Sequence, residues 1–205
     1  MKVLQIDSSI LGSHSVSRDL TAAVVEQLKR GGETVELTRR DLAAEPFSHV
    51  SVPDLPTDHP MSAMAPAGQG RDESQKALDE FLAADTVVIG APMYNFTLPS
   101  QLKAWIDRIL VPGKTFAYSA EGVTGLAGGK RVIVVVSRGG LYHAGAPAAA
   151  LEHVESYLRG VFGFIGVTQL ELIVAEGLQT GDQGRETALA HAHRAISALA
   201  EPALV

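Results

Sequence analysis

Three short stretches hold the residues best suited to chemistry. The first, Ser8-Ser9-Ile10-Leu11-Gly12-Ser13-His14-Ser15-Val16-Ser17, packs five serines into ten positions. At the start of a helix, hydroxyls and free amides can bind a phosphate without a lysine or arginine. Serine is also an ordinary helix cap. The loop has neither G-x-G-x-x-G nor G-x-x-x-x-G-K-[ST], so a single phosphate suits it better than a pyrophosphate. The second stretch, Met93-Tyr94-Asn95-Phe96, offers backbone donors, one neutral amide and two aromatic rings. That set suits a polar planar heterocycle, although Tyr94 and Phe96 could equally plug the top of a sheet. In the third, Ser137-Arg138-Gly139-Gly140, paired glycines let another group approach the backbone closely, or simply make a turn.

The elements between these stretches follow from apolar spacing. Val3-Leu4-Gln5-Ile6 predicts a first strand, and Val16, Leu20, Val24 and Leu28 share one face of the helix after it. Gly31-Gly32 ends that helix through the left-handed conformation open to glycine. Val35 and Leu37 alternate with polar residues, as in an edge strand. Pattern then disappears from Ala43 to about Gly70, where five of the ten prolines lie. A loop of that length is commonly a lid, a binding loop or disordered. A short helix follows, carrying Leu78, Phe81 and Leu82 behind an acidic start at Asp72-Glu73.

Thr86-Val87-Val88-Ile89-Gly90 and Val132-Ile133-Val134-Val135-Val136 are buried-strand runs, and Leu170-Glu171-Leu172-Ile173-Val174 is the last strand. Leu98, Leu102, Trp105 and Ile109 mark one helix, with Pro99 in its first turn. Leu151, Val154, Leu158 and Phe162 mark another, and Leu189, Ala192, Ile196 and Leu199 the last. Lys114 to Gly129 is glycine-rich and irregular. Strands alternating with helices imply an α/β fold, a doubly wound five-stranded parallel sheet with helices on both faces. With the alternating strand at the edge, the order is 2-1-3-4-5, the flavodoxin-like arrangement. Ligands then bind at the carboxyl ends of strands 1, 3 and 4, which the three stretches follow.

Composition narrows the class. The 205 residues suit one domain, 1–205, with 46% apolar and 20% charged residues. A net charge of −6 argues against a nucleic-acid surface. Apolar runs are too short to span a membrane, and the N-terminus does not read as a signal peptide. Without cysteine there is no disulfide or thiolate chemistry. A cytoplasmic protein is expected. His191 and His193 are two apart and face different directions on a helix, and His49 and His59 lack partners at ligand spacing, so no metal is expected. Trp105 belongs to the core or a subunit interface.

The three stretches together resemble the FMN-dependent NADH azoreductases, a family of quinone and azo reductases. Ser9 and Ser15-Val16-Ser17 match their phosphate loop, Ala91-Pro92-Met93-Tyr94-Asn95-Phe96 their first flavin loop, and Ser137-Arg138-Gly139-Gly140 their second. Arg40-Asp41-Leu42-Ala43, the Phe116…Tyr118 turn, Gly163-Phe164-Ile165-Gly166 and Ala175-Glu176-Gly177 extend the likeness to the last helix. Leu141-Tyr142-His143 and residues 46–70 depart from it, which bears on the substrate pocket. The resemblance implies bound FMN, ping-pong hydride transfer from NADH or NADPH to a quinone or azo compound, and a homodimer with a flavin in each of two interface sites. No side-chain acid or base is demanded. Phe96, Tyr118 and Phe162 are expected to form the substrate pocket, although Phe162 could be core alone. The rival is a flavodoxin-type electron carrier that binds FMN without reductase activity. An enclosing proline-rich loop and an extra turn at Phe116–Gly129 would serve an enzyme better.

Overall fold

The computed structural model describes residues 1–199. Five strands form one parallel sheet: β1 (Lys2–Asp7), β2 (Glu36–Asp41), β3 (Thr86–Pro92), β6 (Arg131–Ser137) and β7 (Gln169–Ala175), in the order β2-β1-β3-β6-β7. Between β3 and β6 the chain inserts an antiparallel hairpin, β4 (Phe116–Ser119) and β5 (Gly122–Gly125). This differs from the expected numbering 2-1-3-4-5 and from the irregular stretch expected at 114–129. Its glycines and short runs carry too little periodicity to reveal a hairpin that packs outside the sheet.

Alternation along the central strands builds two cores. Leu4, Ile6, Val87, Ile89, Val132, Val134 and Val136 face one way. There they meet Phe81 of α2 (Arg71–Ala83), Trp105 of α3 (Ser100–Ile109) and Leu158 of α4 (Glu155–Phe164). Val3, Val88, Ile133, Val135 and Ile173 face the other way, against Leu20, Val24 and Val25 of α1 (Val16–Arg30) and Ala192 and Ile196 of α5 (Asp182–Ser197). Both faces are covered, so β3 and β6 are buried along their whole length. Trp105 is core, edge-on to Phe81 at 6.0 Å.

Several boundaries shift for local reasons. Gly31 caps α1 with φ −67°, and Gly32 takes the left-handed conformation at φ 88°. Pro99 caps α3 and lies outside its first turn. Glu152 accepts from the Val154 and Glu155 amides at 2.8 and 2.9 Å, so α4 starts there and Leu151 stays in a preceding 3₁₀ turn. Leu199 lies past the end of α5.

The proline-rich stretch is ordered by arginines. Arg71 donates to the carbonyls of Pro53 and Ser62, and buried Arg108 donates to the Ser48 carbonyl at 2.9 Å while stacking on Phe47. Among the described residues no helix is long and apolar enough to cross a membrane.

Candidate functional site

The carboxyl ends of β1, β3 and β6 open into a groove of about 390 Å³. Ser9, Ser15, Val16, Met93, Tyr94, Asn95, Phe96, Ser137, Arg138, Gly139 and Gly140 line it, so eleven of the twelve expected cofactor residues meet there. Its volume falls in the range of small-molecule and cofactor pockets.

The serine loop forms the first wall. Ser15 caps α1, its Oγ accepting from the Arg18 amide at 3.3 Å. The amides of Val16 and Ser17, in the first turn, find no acceptor among the described residues. Free N–H groups at a helix start bind anions. Ser17 is the twelfth residue and does not line the groove. It lies buried behind Ser15, its Oγ 3.1 Å from the Ser15 Oγ. Arg18 clamps the loop from below, donating to the Ser9 carbonyl at 2.8 Å and to both Asp41 oxygens at 2.6 Å. The Arg18 hydrogen bond holds the Asp41 carboxyl below its usual range and raises Arg18 in turn. Asp7, beneath the clamp, is pushed up by burial.

Tyr94 joins the first wall to the second. Its hydroxyl lies 3.1 Å from the Ser9 Oγ and accepts from the Ile10 amide at 3.2 Å. Tyr94 and Thr97 exchange backbone hydrogen bonds of 2.9 and 3.2 Å around Asn95 at φ 47° and Phe96 at φ 73°. Positive φ at both central positions is the signature of a type I′ turn, which Asn tolerates and Phe resists. Strain of this kind collects at functional sites. The turn leaves Asn95 exposed and the Phe96 ring 44% exposed over the groove.

The third wall is zippered to the chain after β7. Gly177, Leu178 and Gln179 donate from their amides to the carbonyls of Gly140, Arg138 and Gly139. A Cβ at Gly139 would stand 2.7 Å from the Gln179 amide oxygen, and one at Gly140 would meet the Tyr142 ring at 3.2 Å. The glycines thus make room for Gln179 and Tyr142 to fold over the loop. Tyr142 packs edge-on to Phe96, with ring centroids 6.4 Å apart. Glu176 holds the Tyr142 segment, accepting from its amide at 2.8 Å and pairing with His143 at 2.7 Å. Burial alone would raise the Glu176 carboxyl, but the Tyr142 amide, His143 and Arg138 hold it below its usual value.

Two of the expected substrate-pocket residues lie elsewhere. Phe162 is fully buried in the core under α4 and cannot reach the groove. Its helical stripe is a core stripe. Tyr118 is 71% exposed on the β4–β5 hairpin, edge-on to Phe116, and does not line this chain's groove. Nor does any residue of 46–70 line it. Leu11, His14 and Pro92, inside the quoted stretches, and Tyr142, in the segment that departs from the family, also line it, and the sequence reading missed Leu178, Gln179 and Arg185. Leu178-Gln179 directly follow the Ala175–Gly177 stretch, which could have flagged them.

The walls suit FMN on their own chemistry. Neutral hydroxyls and free amides meet at the α1 terminus. At the other end Arg138 is 3% exposed and ion-paired through Nη2 with Glu155, while its Nε and Nη1 are buried with no partner. Orphaned buried donors are costly, and a bound heterocycle with ring oxygens and nitrogens would satisfy them.

Comparison with known proteins agrees with this geometry. The flavodoxin-like fold family matches residues 1–200. An "FMN-dependent NADH:quinone oxidoreductase 2" from Bradyrhizobium diazoefficiens is 57% identical over 199 residues, covering 97% of this chain and 98% of that one. An "FMN-dependent NADH:quinone oxidoreductase" from Methylorubrum populi is 58% identical over 200 residues, with 97% and 98% coverage. The crystal structure of an azoreductase from Bacillus anthracis superposes with a TM-score of 0.81 at 28% identity, over 97% of this chain and 100% of that chain. With its serine loop, strained aromatic turn and Ser-Arg-Gly-Gly segment brought to one groove, the chain belongs to the flavodoxin-like family of FMN-dependent NADH:quinone oxidoreductases and azoreductases.

Proposed function

We propose that this chain is an FMN-dependent reductase that passes hydride from NADH to quinones and azo compounds, and that the groove is its cofactor site. The observation that carries the reading is the meeting of the three loops in one groove, with a strained turn at Asn95-Phe96 and orphaned donors on Arg138. When bound, FMN supplies the two-electron chemistry by accepting hydride from one planar substrate and giving it to another. Ser9, Ser15 and the first-turn amides of α1 hold the phosphate, with Ser17 supporting Ser15. Asn95 and Arg138 would donate to the polar edge of the ring. Phe96 and Tyr142 offer apolar faces on which nicotinamide and acceptor stack in turn, and they exclude water.

The reading extends to a homodimer of one-domain subunits working in the cytoplasm. Tyr118, outside its own groove, lies on an exposed apolar surface with Val123, Leu126 and Phe164. Such a surface suits burial against a second copy, whose groove Tyr118 would then border.

Anaerobic spectroscopy tests the function. The purified protein is expected to show flavin absorbance that NADH bleaches and a quinone restores, with parallel double-reciprocal lines in steady state. Flavin that NADH cannot bleach would instead mark an electron carrier.

A further inference from the structure

Arg138 and Arg185 line the groove and Arg18 lies behind its serine wall; Arg18 and Arg138 are already neutralised. Arg18 holds both oxygens of Asp41 at 2.6 Å, and Arg138 is paired with Glu155. Arg185 lines the same groove from the first turns of α5 and has no acidic partner among the described residues. A cation so near a helix N-terminus faces the positive end of its own dipole. An anion in front of it would account for that position; the helix does not. Helices α1 and α5 pack side by side on one face of the sheet. Their N-terminal ends share a groove whose lining includes His14, Ser15, Val16 and Arg185. The serine hydroxyls and first-turn amides are neutral donors, whereas a phosphate monoester carries about −1.5 to −2 charge at neutral pH.

We propose that Arg185 is the counter-charge for the FMN phosphate, and that through it the chain selects the phosphorylated flavin over riboflavin. The inference rests on the phosphate placement given above. Arg185 is exposed, so its pull is screened by salt and acts on affinity without ordering the loop. A phosphate on the nicotinamide cosubstrate has the same chemistry, but Ser15 and Val16 on the shared wall favour FMN.

Titration of the flavin-free full-length protein with FMN and with riboflavin, read by quenching of flavin fluorescence, tests this. Arg185→Ala is expected to weaken FMN binding about fivefold at low ionic strength and to leave riboflavin within about twofold. Arg185→Glu should lose more and Arg185→Lys little, and the differences should shrink in about 0.5 M salt. The inference is overturned if FMN affinity stays within about twofold in both the Ala and Glu variants, or if riboflavin weakens in parallel. It is equally overturned if FMN binding holds while KM for NADH rises, which would assign Arg185 to the cosubstrate. Ser15→Ala separates the two levels of the argument. If it loses FMN selectively and Arg185→Ala does not, the phosphate site stands and Arg185 has no part in it. If neither variant distinguishes FMN from riboflavin, the phosphate site itself is misplaced.

Discussion

Phe96 holds a backbone conformation that a bulky L-residue adopts only at a cost of roughly 1–2 kcal/mol, and its ring gains little burial in return. Its value is therefore in what the ring does over the groove. Phe96→Gly removes the strain but adds roughly 0.5–1 kcal/mol of chain entropy to be lost on folding. The relieved strain matches or exceeds the entropy cost, so the melting temperature is not expected to fall. The kcat/KM for quinones should nevertheless fall by about tenfold, corresponding to roughly 1.4 kcal/mol of transition-state binding. A large drop in melting temperature with unchanged kinetics would mean that the ring is structural. Asp41 gives a pH dependence of known sign. Its carboxyl lies below the usual 3.8, chiefly through the Arg18 hydrogen bond. A depressed acid contributes fully above its unfolded pKa and is lost as pH falls through the folded one. The clamp on Ser9 should thus hold at pH 5 and above and fail only below about pH 4, releasing FMN. Flavin release followed against pH checks this. Asp41→Asn should retain FMN less well at neutral pH and lack the steep acid step.

At the scale of elements, the β4–β5 hairpin is held by a backbone contact that admits no side chain. A Cβ at Gly125 would stand 2.1 Å from the Gly166 nitrogen and 2.2 Å from the Ile165 carbonyl carbon. The Ala127 amide donates to the Ile165 carbonyl at 2.8 Å beside it. Gly166 itself turns with φ 92° at the end of α4. Gly125→Val must displace the hairpin, because backbone atoms cannot step aside, and should cost about 1–3 kcal/mol of stability. The groove walls come from other loops, so FMN content is expected to stay near that of the parent while acceptor reduction falls. Loss of FMN in a folded Gly125→Val protein would show that the hairpin supports the cofactor directly.

The whole molecule carries an apolar surface that the single chain does not use. Tyr118 pairs across the hairpin with Val123, and Phe116 connects Tyr118 to Phe164 through ring contacts at 5.5 and 4.8 Å. Val123 is 45% exposed, so replacing it disturbs little within the chain. Val123→Lys is expected to yield a folded monomer by light scattering. That monomer should keep FMN and lose most acceptor reduction. A dimer of undiminished activity would place the subunit contact on another surface.

Much of this protein is legible locally. A strand buried on both faces must be apolar at every position, so Thr86–Gly90 and Val132–Val136 announce a covered parallel sheet. The residues expected to meet a cofactor follow the first strand and these two in the chain, which is why eleven of twelve of them line one groove. Phe162 shows where local reasoning stops: an aromatic on a helical stripe has the same spacing whether it faces core or ligand. Ser17 and Ser15 both carry hydroxyls near the start of α1, and only the turn of the helix decides which one faces the groove. The β4–β5 hairpin is fixed by the Gly125–Gly166 contact, far apart in the chain, and leaves no periodic trace. Arg185 lies more than forty positions from Arg138. It joins the groove only because α5 returns beside α1, a consequence of sheet order that spacing along the chain does not encode.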